Sequence, residues 1–128
     1  MGMYTELVLS IELNEDVPSE VIDTLKFMMN RYSDEDHVTP LDHKLFKVSN
    51  RWRYMLNSWS YYFDGFSNSA LQYDSIINSY FLVIKCNLKN YENEIELFLD
   101  WIKGYSKTSG FVGYSRYEED TEPTLIYF

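Results

Sequence analysis

Two stretches alternate apolar and polar residues with a period of two, and they constrain the fold more than any other feature of the chain. From Met3 to Leu13 the apolar positions are Met3, Leu7, Leu9, Ile11 and Leu13, with Glu6, Ser10 and Glu12 between them. From Tyr80 to Leu88 they are Tyr80, Leu82, Ile84, Cys86 and Leu88, with Lys85 and Asn87 on the other side. Successive strand side chains point to opposite faces, so each stretch reads as a strand with one buried face. Such strands need a second layer to cover them, and the chain supplies two amphipathic helices.

Val21, Ile22, Leu25, Met28, Met29 and Tyr32 make one stripe on a helix predicted over Ser19–Tyr32, opened by Pro18 with Asp16 and Glu20 nearby. Tyr91, Ile95, Phe98, Leu99 and Ile102 make the stripe of a second helix, predicted over Tyr91–Lys103. Asn90 stands at its N-cap and Gly104 at its C-terminal end. Glu92 and Glu94 in its first turn and Lys103 in its last suit the helix dipole. Aromatic and β-branched residues predict further strands at Trp59–Phe63, Ala70–Ser75, Phe111–Glu118 and Thr124–Phe128.

The predicted order is β-α-β-β-β-α-β-β over a single α+β domain, residues 1–128. It fits a ferredoxin-like, split βαβ variant with a mostly antiparallel sheet and two main helices on one face. Leu41–Ser60 reads as an irregular insertion. The last strands are apolar on both faces, so helices on one side would leave an apolar face in water. A homodimer is expected to cover it, with the Leu41–Ser60 segment as the rival cover.

Twenty acidic residues against eleven basic ones, a net charge of −9, argue against nucleic acid as a partner, because phosphate contacts need clustered cations. No apolar run approaches the length of a membrane span, and the first ten residues lack the pattern of a signal peptide. The lone cysteine, Cys86, fits a reducing compartment, so the expected location is the cytoplasm.

Catalytic constellations are missing from the sequence. Asp34, Glu35, Asp36, His37, Asp42 and His43 crowd together without metal-ligand spacing and read as a solvated acidic loop. Cys86 shares the phase of its apolar strand neighbours and reads as a small buried hydrophobe. The five glycines form no phosphate cradle, and no cofactor is implied. The distinctive stretch is RWRYMLNSWSYYF, Arg51–Phe63, in which six of thirteen residues are aromatic. Met55, Leu56 and part of the aromatic set need burial. Arg51, Trp52, Arg53, Trp59, Tyr61 and Tyr62 are the candidate binding residues, since Arg, Trp and Tyr are enriched at interaction hot spots. The expectation is a non-enzymatic binding protein that engages a protein partner. Its alternative is a small-molecule or enzymatic pocket between residues 41–63 and the sheet, with aromatic walls and a guanidinium for an anion.

The blocks RWRYML with SYYF, LKNYENEIELFLDWI and YSRYEEDTEPTLIYF resemble a family of small bacterial and phage-type proteins with no assigned activity. The resemblance spans nearly the whole chain. It implies one compact α+β domain and nothing about mechanism; a phage or mobile-element role belongs with the binding-protein expectation above.

Overall fold

The computed structural model describes residues 3–29 and 39–128. The strands are β1 (Tyr4–Glu12), β2 (Ala70–Asp74), β3 (Ser79–Lys89), β4 (Phe111–Tyr117) and β5 (Thr124–Tyr127). The helices are α1 (Ser19–Met29), the single turn α2 (Leu45–Val48) and α3 (Glu94–Lys103), with a 3₁₀ helix at Arg51–Asn57. All pairings are antiparallel, and the sheet order is β2-β3-β1-β4-β5. The protein is therefore a mixed α+β structure with a five-stranded antiparallel sheet.

The two alternating stretches are neighbours at the centre of that sheet. Leu7 faces Cys86, Leu9 faces Ile84 and Ile11 faces Leu82, so their apolar residues fall on one side. Helical Val21, Ile22, Leu25 and Met28 and Ile95, Phe98 and Ile102 join them in one core. On the other side of β1 the approach to β4 is so close that a Cβ on Gly113 would lie 1.9 Å from the carbonyl oxygen of Val8. A glycine inside a strand thus has a steric reason here.

α1 is followed as far as Met29, and its expected end at Tyr32 lies outside the described residues. α3 begins at Glu94 rather than Tyr91, because Asn93 takes a left-handed conformation and stands at the N-cap. Asn90 still serves this end: its side-chain oxygen accepts from the backbone N–H of Ile95 at 2.8 Å.

Two expectations are corrected. Trp59–Phe63 is not a strand, so two strands rather than three lie between the long helices. The residue before it, Ser58, touches β3, accepting at its carbonyl from the N–H of Asn87 at 3.0 Å, and no ladder follows. Nor does the body of the Leu41–Ser60 segment, up to Leu56, cover the far face of the sheet. Leu45, Phe46, Trp52, Met55 and Leu56 are buried in the same core as the helices. Trp52 is held at its centre by edge contacts with Phe46, ring centres 4.8 Å apart, and by Phe27 at 5.8 Å.

Candidate functional site

The chain leaves the core at Ser58 and returns to the sheet at Ala70. Four serines fix this excursion. Ser60 Oγ donates to Asn87 Oδ1 at 2.7 Å, a buried contact. Ser67 Oγ donates to the carbonyl of Ser58, and Ser69 Oγ to that of Leu56 at 2.7 Å. The N–H of Asn68 donates to the carbonyl of Lys85 at 2.8 Å. Gly65 takes a φ of +83°, which turns the loop over Lys85.

Phe63 anchors the loop on the far face of the sheet, where the Arg116 guanidinium lies 5.1 Å from its ring centre. Asn87, Glu6 and Arg116 stand in register across β3, β1 and β4 beneath it. Arg116 pairs with the buried Glu6 carboxylate at 3.4 Å. Glu6 Oε1 and Arg116 Nε are buried with no hydrogen-bond partner among the described residues.

This frame holds rings outward. Tyr61 is 86% exposed and Phe66 72%, with Tyr62 and Trp59 also exposed. They support one another: Tyr61 stacks on Tyr62 at 5.1 Å, Tyr62 meets Tyr4 at 5.7 Å, and Trp59 meets Phe66 at 4.9 Å. Elsewhere on the far face Val83, Phe111, Leu125 and Tyr127 are exposed, among polar residues such as Ser10 and Lys85.

The six candidate binding residues therefore separate. Trp59, Tyr61 and Tyr62 share the outward loop. Trp52 is 1% exposed and unavailable to any partner. Arg53 lies over the rings of Trp52 and Phe27, at 5.0 and 5.8 Å, with no carboxylate in reach among the described residues. Arg51 sits elsewhere, at a concavity of about 240 Å³ lined by Tyr4, Tyr54, Met55, Ser58, Leu88 and Lys89. The concavity holds one arginine but none of Trp52, Trp59, Tyr61 or Tyr62. Sequence reasoning missed Phe66; the serines at 58, 60, 67 and 69 were the available signal of a pinned loop.

Other chemistry-bearing groups are committed to structure. Cys86 is buried in the sheet, and burial first, then the nearby Glu6 charge, pushes its thiol up to about 12, far from a reactive thiolate. His43 pairs with Asp100 at 3.0 Å and Asp42 with Lys47 at 2.7 Å. The Lys47 ammonium holds the Asp42 carboxyl below its usual range. No group of residues able to hold a metal ion occurs among the described residues; Asp34, Glu35, Asp36 and His37 lie outside them. No helix among the described residues is long and apolar enough to cross a membrane. Compared with known protein families, curated proteins and solved structures, the chain matches none.

Proposed function

We propose that the protein is a non-enzymatic binding module that docks a protein partner through the ring-bearing loop Ser58–Asn68. The observation that carries this reading is that Trp59, Tyr61, Tyr62 and Phe66 stand exposed on a loop tied down at Ser58, Ser60, Phe63, Ser67 and Asn68. Water-exposed rings on a loose loop would collapse or be ordered at an entropic cost on binding. A pre-ordered loop avoids that cost, and Trp and Tyr supply large contact areas with few rotatable bonds. Lys85 lies under the loop at Gly65, and Lys89 lies over Tyr4, the ring that Tyr62 packs on, although the chain is acidic overall. The partner chemistry that fits is an apolar cleft with carboxylates at its rim.

Co-purification from the native host, with wild type beside a Tyr61→Ala, Phe66→Ala double variant, tests the reading. The expected result is a partner retained by wild type and lost by the variant, with both proteins folded. A folded double variant that keeps every partner overturns it.

The homodimer stands on a separate observation, the open apolar positions Val83, Phe111, Leu125 and Tyr127 of the far face. A second copy brought against them would cover both faces at once. Light scattering is expected to give about twice the 15.3 kDa of one chain. A clean 15.3 kDa species removes the dimer and leaves the loop reading intact. For the fold, the order β2-β3-β1-β4 supports the split βαβ arrangement, with β5 added at the edge beyond β4.

A further inference from the structure

We infer that the concavity beside Arg51 is a binding site for a small organic anion carrying a single ring, such as an aromatic carboxylate or a phosphate monoester. It lies where the N-terminal end of β1, the 3₁₀ helix and the C-terminal end of β3 meet. The floor is apolar, because Leu88 and Met55 are buried there. Tyr4 and Tyr54 supply aromatic walls, and Ser58 completes the lining.

Two cations converge on this hollow with most of their donors unused. Arg51 is fixed in place: Nη1 donates to the Lys89 carbonyl at 3.1 Å, and the guanidinium lies 4.7 Å from the Tyr91 ring centre. It also stands 3.8 Å from the fully buried Glu94 carboxylate, too far for a hydrogen bond. Glu94 has its own donors in Ser49 Oγ at 2.9 Å and the Glu92 N–H at 3.0 Å. A guanidinium has five N–H donors, and one of them has a protein acceptor here among the described residues. The Lys89 ammonium has no carboxylate in reach among the described residues, and its recorded neighbours are the rings of Tyr4 at 5.7 Å and Tyr91 at 6.0 Å. In a chain of net charge −9, the Lys89 ammonium together with the N–H donors that Arg51 has left after its Lys89 carbonyl bond and its ion pair with Glu94, beside an apolar floor, are a favourable place for a carboxylate or phosphate.

Size sets the class. About 240 Å³ lies below the roughly 300–1,000 Å³ of pockets for drug-sized ligands, so one ring with its acid group fits and a dinucleotide does not. None of Trp59, Tyr61, Tyr62 or Phe66 lines the site, which adjoins the ring-bearing loop through Ser58 and through Tyr4, whose ring meets Tyr62.

Titration of the full chain with phenyl phosphate and with benzoate, followed by backbone amide NMR, tests the inference. Saturable shifts are expected at residues 54–58 and 88–91, with phosphate favoured over carboxylate by its higher charge. Lys89→Gln is expected to weaken the better probe by about tenfold or more, as the loss of a charged hydrogen bond implies. Tyr54→Ala, at an exposed position, is expected to weaken it several-fold. Both variants leave the core untouched, so folding is preserved. Lys85→Gln removes an equally unpaired lysine away from the concavity, and Tyr61→Ala removes a loop ring; neither should change the affinity. The inference is overturned if neither probe saturates at millimolar concentrations, or if Lys85→Gln weakens binding as much as Lys89→Gln, which would reveal a diffuse ionic atmosphere.

Discussion

Trp52 and Trp59 belong to one aromatic stretch, seven positions apart, and end in opposite environments. Trp52 is 1% exposed between Phe27 and Phe46, whereas Trp59 is 40% exposed against Phe66. The break falls at Ser58, whose carbonyl accepts from the Asn87 N–H. Before it, the 3₁₀ helix turns Trp52, Met55 and Leu56 toward the space between α1 and β3. After it, serine hydroxyls tie the chain across the sheet edge and leave the rings outside. Similar side chains thus become core or candidate contact surface according to what the backbone is fastened to.

The largest effect should come from the inner half. Trp52→Ala removes a fully buried ring from the core and is expected to cost about 3–5 kcal/mol in urea unfolding. A cost near zero would break the comparison, because it would place Trp52 outside the core. The join comes next. Ser60→Ala leaves the buried Asn87 side-chain oxygen without its donor and should cost about 1–3 kcal/mol. Loss of the tie should also weaken retention of any partner bound by the loop, while a variant as stable as wild type would show that the remaining ties, at Ser58, Phe63, Ser67, Asn68 and Ser69, hold the loop without it.

Cys86 reports on the same join from below. Burial pushes its thiol up to about 12 in the folded chain, against ~8.5 when unfolded, so above that lower value the unfolded state binds fewer protons. The stability held by the neutral thiol is complete below the unfolded value and is lost as pH rises toward the folded one. Urea midpoints should therefore fall between pH 9 and 12 relative to a Cys86→Ala variant, and parallel curves would contradict the burial-driven shift.

Smallest in energy is the outer half. Tyr61→Ala should change stability by no more than about 0.5 kcal/mol, the range of exposed substitutions. A spectroscopic counterpart needs no energy scale. Trp59 is exposed while Trp52 and Trp101 are buried, so acrylamide should quench one class of three tryptophans, and Trp59→Phe should abolish that class. Residual strong quenching in the variant would mean that the inner half opens in solution.

The sequence by itself determined the two central strands, the terminal strands and the buried helix positions Val21, Ile22, Leu25, Met28, Ile95, Phe98 and Ile102, though not Tyr91, which is exposed before α3 begins. Periodicity is local, and a face that repeats every two or 3.6 residues keeps its meaning wherever the element is placed. The burial of Cys86 followed from the same phase. Only the tertiary structure decided residues 41–69. Aromatic residues suit a strand face and a helix face alike, so Trp59–Phe63 carried no period to betray its fold. What fixed it were long-range bonds to Asn87 and Lys85 on β3 and the anchoring of Phe63 by Arg116 of β4. Arg51 reached its concavity for the same reason: its acceptor on Lys89 and its counter-charge on Glu94 lie some forty positions away, and no local pattern could have joined them.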